Sequence, residues 1–247
     1  MFPIGDDDSD RTRTPYVNYA IIAANILVFV LLQGFGGNDN FTYAFSLVPK
    51  EITTGIDLTT PQIVRDVLTG QTAEIQNYAT PLPVYFNFLS SMFMHGGFSH
   101  IFGNMLFLWV FGDNLENRLG HVRYLLFYLL CGFAAALGQV FMQTDSVVPM
   151  LGASGAISGV LGGYLLLFPK RNVRAIILNF YTTVPAYVAL GLWIVYQIVS
   201  GYLTPAGTGG VAYAAHIGGF IAGLILVKIF AIGTQTTNLN SPNASGT

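Results

Sequence analysis

Gly152-Ala153-Ser154-Gly155-Ala156-Ile157-Ser158-Gly159 opens an apolar run that continues as "VLGGYLLLF" to Phe168. Glycine weakens a helix in water, yet Gly155, Gly159 and Gly163 recur here at every fourth position. A step of four places them on one helix face. Small residues at that spacing let helix backbones approach closely inside a membrane. Gly219 and Gly223 repeat the pattern in "AHIGGFIAG", so the two stretches read as helices packed together in lipid. Packing accounts for the glycines. It does not account for the hydroxyl of Ser154 set among them.

The rest of the chain supports a membrane setting. Of its 247 residues, 53% are hydrophobic and 9% charged, whereas an ordinary soluble domain is about 25% charged. Mean hydropathy is +0.57. The charges cluster, leaving uncharged windows of about the 18 residues that cross a bilayer as a helix. The chain therefore reads as an all-α integral membrane protein whose immediate partner is the lipid bilayer. Its net charge is −2 and its 10 Lys and Arg form no basic stripe, which argues against a nucleic-acid partner. Cys131 is the single cysteine, so an internal disulfide is excluded and the residue reads as a small buried hydrophobe.

Six transmembrane helices are expected, at about Tyr16 to Leu32, 85–112, 123–143, 151–168, 174–200 and 210–230. Residues 1–15 form a charged cytosolic segment, 16–232 the six-helix membrane domain, and 233–247 a disordered tail rich in Thr, Asn, Ser and Gly. The first segment is too polar to begin a signal peptide and the first helix reads as retained. The first loop, 35–84, is long enough to need structure of its own, and "PQIVRDVL" within it reads as a short amphipathic surface helix. "LTPAGTGG", at 203–210, reads as a mobile cap after helix five.

Lys and Arg concentrate on the inner side of a membrane protein. With the N-terminus inside, Arg11, Arg13, Arg118, Arg123, Lys170, Arg171, Arg174 and Lys228 fall on that side, and only Lys50 and Arg65 fall outside. Both termini are thus expected in the cytosol. On this topology, His95, His100 and Asn104 lie in the outer half of helix two. Ser154 lies in the first turn of helix four, and His216 about two turns down helix six. Three separate segments bring polar groups to one depth. Singly, such groups are commonly satisfied by nearby backbone; together they point to function.

Zinc fits them poorly. His95 and His100, five apart, would diverge around a helix, and no HExxH or intramembrane carboxylate supplies a base; no metal is expected. A serine nucleophile fits better, because a hydroxyl needs an adjacent base and His216 stands opposite Ser154. The start of helix four offers the backbone N–H groups of Ser154 and Gly155 to an oxyanion. His100 and Asn104, four apart, share a face and aim two further donors. Gly152 and Gly155 leave room for a substrate backbone. His95, off that face, is expected to tie down the first loop. The pattern is not the GxSxG elbow of soluble hydrolases, since Ala156 takes the second glycine place.

At these residues the sequence resembles the rhomboid family of intramembrane serine proteases. "HGGFSHIFGN" matches HxxxxHxxxN, "GASG" matches GxSG and "AHIGGFIAG" matches AHxxGxxxG, in the family's order on helices two, four and six. "ENRLG" at 116–120 and "PYVNYAIIAANILVF" near the N-terminus also look like bacterial members, and the likeness covers nearly all of residues 2–232. The resemblance implies a Ser154 nucleophile and a His216 general base without an acid. It also implies an oxyanion hole of His100, Asn104 and the Ser154 backbone N–H. Gly152, Gly155, Ser158, His95 and Gly219 would support them. No cofactor is implied. Substrates would be transmembrane helices of other proteins, cut near their outer end after a small residue, in a bacterial inner membrane with the site open to the outer side. Some members carry a tyrosine four residues after the serine that packs on the histidine. Here that place is Ser158, so another group, by a hydrogen bond, must orient His216. The Trp-Arg pair found in the first loop of some members is absent. The competing expectation is a non-catalytic relative that binds or chaperones membrane helices; such relatives typically lack the serine or the histidine, and both are present. A small-solute transporter would show inverted repeats or broken mid-span helices, and neither is seen. The sequence sets no oligomeric state.

Overall fold

A computed structural model describes residues 2–65, 70, 72–177, 180–204 and 211–234. In chain order its elements are β1 (Phe2–Gly5), α1 (Tyr16–Leu27, prolonged by a π turn over Val28–Leu32), α2 (Asp39–Ala44), α3 (Pro49–Thr54), β2 (Gln62–Arg65), β3 (Thr72–Ile75), α4 (Asn87–Ser90), α5 (Phe98–Leu119), α6 (His121–Met142), α7 (Ser154–Leu167), β4 (Asn172–Ile177), β5 (Phe180–Pro185), α8 (Ala186–Leu203) and α9 (Tyr213–Phe230). Helices dominate. Among the described residues, α6, α8 and α9 are long and apolar enough to cross a membrane, while α1 with its π turn and α7 are apolar but shorter.

The centre is a pack of α6, α7 and α9, with α5 beside α7 and α1 beside α5. Glycine makes the closest contact possible. A Cβ on Gly219 would stand 2.1 Å from the carbonyl oxygen of Gly155, and one on Gly223 would stand 2.0 Å from that of Gly159. The glycines spaced by four on α7 and α9 therefore face each other, as their spacing predicts. Cys131 of α6 fills the space over Gly159 and is fully buried. Gly163 is kept small by other neighbours, the rings and branches of Phe127, Leu115 and Val227.

Buried polar groups lock α1 onto this pack. The carboxylate of Glu116 near the end of α5 accepts the backbone N–H groups of Val17 (2.9 Å) and Asn18 (2.6 Å). It thereby satisfies donors that a helix start leaves unpaired. Asn18 in turn donates to the Leu108 carbonyl at 3.0 Å and accepts from the Tyr124 hydroxyl at 2.7 Å. Gly120 takes the positive φ of +83° in the turn joining α5 to α6.

Three expectations from the sequence are corrected. The all-α reading omits the five strands found among the described residues. β1, β4 and β5 form an antiparallel sheet in the order β1-β4-β5, with Phe2 opposite Ile176 and Asn172 opposite Pro185. The fifth helix accordingly begins at Ala186 and not at 174, because Pro185 ends the hairpin and its missing N–H and fixed φ suit a helix entrance, not a helix interior. The supposed amphipathic helix in the first loop is, over Gln62–Arg65, a strand paired with Thr72–Ile75; Asp66 to Leu68 of that stretch lie outside the described residues. Residues 205–210 of the expected cap and 235–247 of the tail also lie outside them.

The N-terminal segment is folded into the structure as well. Beyond β1, Asp6 accepts from the Tyr164 hydroxyl and from Asn114 Nδ2, the latter at 2.8 Å. Arg11 pairs with Asp113 at 2.7 Å and Arg171 with Asp10 at 2.5 Å. Burial pushes the Asp6 carboxyl up to about 7. The charges of residues 1–15 therefore clamp the ends of α5 and α7 to β4. At the other end of the molecule, Leu47 and Met150 exchange backbone hydrogen bonds of 2.9 and 2.7 Å. That bridge holds the first loop against the segment leading into α7.

Candidate active site

Gly152 enters α7 with φ +124°, and its N–H donates to the Ser91 carbonyl at 2.8 Å. The first intrahelical bond of α7 runs from the Ile157 N–H to the Ala153 carbonyl at 3.0 Å. Ser154 is thus the first helical residue, and its own N–H and that of Gly155 lie in the unpaired first turn. His216 lies in the first turn of α9, with its N–H on the Ala212 carbonyl at 3.1 Å; it is nearer the helix start than the two turns expected. The glycine contacts between α7 and α9 bring these two helix starts together. Ser154 Oγ and His216 Nε2 are 2.8 Å apart.

Both residues line a cavity of about 550 Å³, with His100, Asn104, Trp193 and Gln197 among the other lining residues. Proton positions follow from the partners. The Gly96 N–H donates to His100 Nδ1 at 3.3 Å, so a neutral His100 carries its proton on Nε2. Asn104 Nδ2 lies 3.0 Å from His95 Nε2; an amide NH₂ only donates, so His95 Nε2 accepts, and the second N–H of Asn104 remains for the cavity. His216 Nδ1 lies 2.8 Å from Gln197 Oε1, an acceptor, so Nδ1 carries the proton and Nε2 is bare toward Ser154. The Trp193 ring lies beside the imidazole, centroids 6.1 Å apart.

The structure gathers Ser154, His216, His100, Asn104, Gly152 and Gly155 around one cavity. It puts Ser158, His95 and Gly219 behind it. Ser158 is buried and donates to the Ser154 carbonyl at 2.6 Å. The two entrance glycines make room for neighbouring groups of the protein. A Cβ on Gly152 would meet His100 Nε2 at 2.8 Å, and one on Gly155 would meet the Cβ of Ala135 at 2.7 Å. Their missing side chains admit His100 and α6.

His95 precedes α5, so the argument from helical angle does not apply to it. Its backbone exchanges two 2.9 Å hydrogen bonds with the amide of Gln33, at the end of the π turn, and Gln33 Nε2 also donates to Thr42 Oγ1 in the first loop at 2.9 Å. Its ring meanwhile touches Asn104. Gln33 and Gln197 escaped the reading of the sequence. Both are single glutamines in apolar surroundings, and that isolation was the available signal.

The fold and this cavity define a multi-pass integral membrane protein with a polar site sunk among its helices. The Rhomboid domain model matches residues 83–232, and the chain belongs to the rhomboid family. It is 35% identical to Rhomboid protein 1, mitochondrial, of Saccharomyces cerevisiae over 145 residues, 56% of this chain and 39% of that protein. It is 33% identical to RHOMBOID-like protein 4 of Arabidopsis thaliana over 160 residues, 64% of this chain and 37% of that protein. The match to Rhomboid protease GluP of Bacillus subtilis is 26% over 240 residues, 93% of this chain and 42% of that protein. The chain thus spans less than half the length of each of these relatives. They include a mitochondrial protein, a plant protein and a bacterial one, so the comparisons support a multi-pass membrane location and do not support the narrower expectation of a bacterial inner membrane.

Proposed function

We propose that this chain is an intramembrane serine endopeptidase that cuts transmembrane helices of other membrane proteins near their outer end. The observation that carries the reading is the 2.8 Å contact between Ser154 Oγ and His216 Nε2 inside the cavity. Ser154 attacks the scissile carbonyl carbon while His216 Nε2 takes its proton, so the oxygen gains nucleophilicity as the new bond forms. The oxyanion that develops is met by the N–H of Ser154, Asn104 Nδ2 and His100 Nε2. His216 then returns the proton to the leaving amine, which frees the first product and leaves an acyl ester on Ser154. Water, deprotonated by the same imidazole, hydrolyses that ester. No cofactor enters these steps. Because helical carbonyls are paired within their own helix, the substrate must unwind locally to present one.

The topology that serves this reading has six spans, α1 and α5 to α9, with both termini cytosolic. Arg11, Arg171 and Arg174 gather with Asp6 and Asp10 around the C-terminal ends of α5 and α7, and Arg123 reaches the carbonyl of Ile232 beyond α9. The site, by contrast, lies at the starts of α7 and α9. The 14 residues of α7 rise roughly 21 Å, short of the roughly 30 Å hydrocarbon core. An α7 anchored at the inner side therefore leaves Ser154 below the outer surface, reachable by water from that side. Entry from lipid falls between α5 and α8.

Incubating the purified protein with a single-span membrane substrate should produce one cut near the substrate's outer end, and Ser154→Ala should produce none. An intact substrate with wild-type protein would favour the non-catalytic reading, in which the cavity only binds a helix. Removing one oxyanion donor commonly costs about 10²–10³ in turnover. Asn104→Ala is expected near the lower end, since two donors remain, with KM little changed. Measured turnover equal to wild type would take Asn104 out of the site.

A further inference from the structure

We propose, resting on the serine-protease reading above, that Gln197 is a positioning residue whose side-chain carbonyl holds the Nδ1–H of His216 and so keeps Nε2 bare for the Ser154 proton. Gln197 is the sole polar side chain among the buried residues of α8. A buried amide without a partner is costly, and its partner here is the imidazole, at 2.8 Å. A neutral imidazole has one proton and two nitrogens. With Oε1 at Nδ1 the proton stays there, and Nε2 accepts from the serine. With no acceptor at Nδ1, the ring is free to carry its proton on Nε2, where it donates to the serine oxygen and cannot act as a base.

The same contact strengthens during the reaction. Once Nε2 takes the serine proton the ring is a cation, and its Nδ1–H bond to the amide oxygen becomes charge-assisted. Trp193 stands four residues before Gln197, on the same face of α8, and lies against the same ring. Ser158, by contrast, is turned away to the Ser154 carbonyl and offers the ring nothing. Two residues of one helix therefore set the plane and the tautomer of a base carried by another. α8 exposes Tyr187, Leu192, Val195, Tyr196 and Ile198 and packs mainly on α9. A displacement of α8 from α9 that carries Oε1 beyond the ~3.2 Å reach of a hydrogen bond would break this contact and disarm the base.

The full chain, labelled with ¹⁵N-histidine in nanodiscs, reports the tautomer through its ring-nitrogen shifts, with His216 assigned by its loss in His216→Ala. The wild type should show Nδ1–H. Gln197→Leu, of similar bulk with no acceptor, should show Nε2–H and react with a fluorophosphonate about 10²-fold more slowly, within the usual range for general-base catalysis. Gln197→Glu restores an acceptor and should restore both readouts; Gln197→Met replaces the Leu variant should that one fail to fold. The proposal is overturned by a Leu or Met variant that labels as fast as wild type, or by one that slows with no change of tautomer, which would mean packing alone. Should the wild type itself not label, the protease reading fails. The nitrogen spectra then decide alone: loss of Nδ1–H in the variant upholds the contact, and an unchanged spectrum overturns it.

Discussion

A fluorophosphonate probe is expected to modify Ser154 and no other serine, and His216→Ala to suppress that labelling by about 10³-fold or more. The reaction forms an O–P bond and expels fluoride, and it needs the serine proton to leave as the bond forms. Among the described residues, the base within reach is His216, 2.8 Å from the hydroxyl. Ser158, one turn on, is committed to a backbone carbonyl at 2.6 Å, and Ser90 and Ser91 are buried. Among the described residues, none of these hydroxyls hydrogen-bonds a histidine ring. His216→Ala should still fold, because the glycine contacts that join α7 to α9 do not involve the imidazole. Mass spectrometry of the labelled peptide reads the site, and the labelling rate reads the base. Label on another serine, or undiminished label in His216→Ala, would remove the dyad.

The sequence made the helices of the bundle and the candidate dyad legible for one physical reason. Inside a membrane the chain has few ways to place Gly, Ser, His and Asn, so their spacing reports packing and site together. Gly155 with Gly219 and Gly159 with Gly223 were readable as contacts because a step of four admits little else in lipid. The hairpin of β4 and β5 was not readable. "NVRAIILNFYTTVP" has neither a helical nor an alternating period, and its apolar length, continuous with α8, imitates a span. Its β-branched residues and closing proline were the signals against a helix. β1 has only four residues, too few to show alternation. The partners of Asn18, Gln33 and Gln197 lie far away in sequence, at Tyr124, His95 and His216. No local pattern announces such pairs. A buried amide says only that a partner exists.

The meeting of helix starts also predicts what Gly219→Ala should do. Its new Cβ would lie 2.1 Å from the Gly155 carbonyl oxygen and 3.2 Å from the Ala135 Cβ, where ordinary contact needs 3.4–4 Å. A backbone carbonyl inside a helix cannot swing aside as a flexible side chain does, so α7 and α9 must part by about an ångström or shear past each other. Ser154 adjoins Gly155, and His216 lies one turn before Gly219, so the displacement falls on the dyad almost undiminished. A hydrogen bond of 2.8 Å lengthened by that amount passes the ~3.2 Å at which such bonds fail. Overpacking of this kind costs roughly 1–3 kcal/mol, which the rest of the bundle can absorb. Gly219→Ala is therefore expected to fold with a lowered thermal midpoint and to lose fluorophosphonate labelling of Ser154 by about 10²-fold or more. Gly219→Val, with two more methyl groups against the same carbonyl, should not fold. Gly191→Ala is the matched control: a Cβ there, on α8, would meet nothing within 4 Å, and alanine favours a helix interior over glycine. It should label at the wild-type rate and melt no lower. Wild-type labelling and melting in Gly219→Ala would mean that the α7–α9 contact does not hold Ser154 and His216 in register, and the dyad geometry would then need another support.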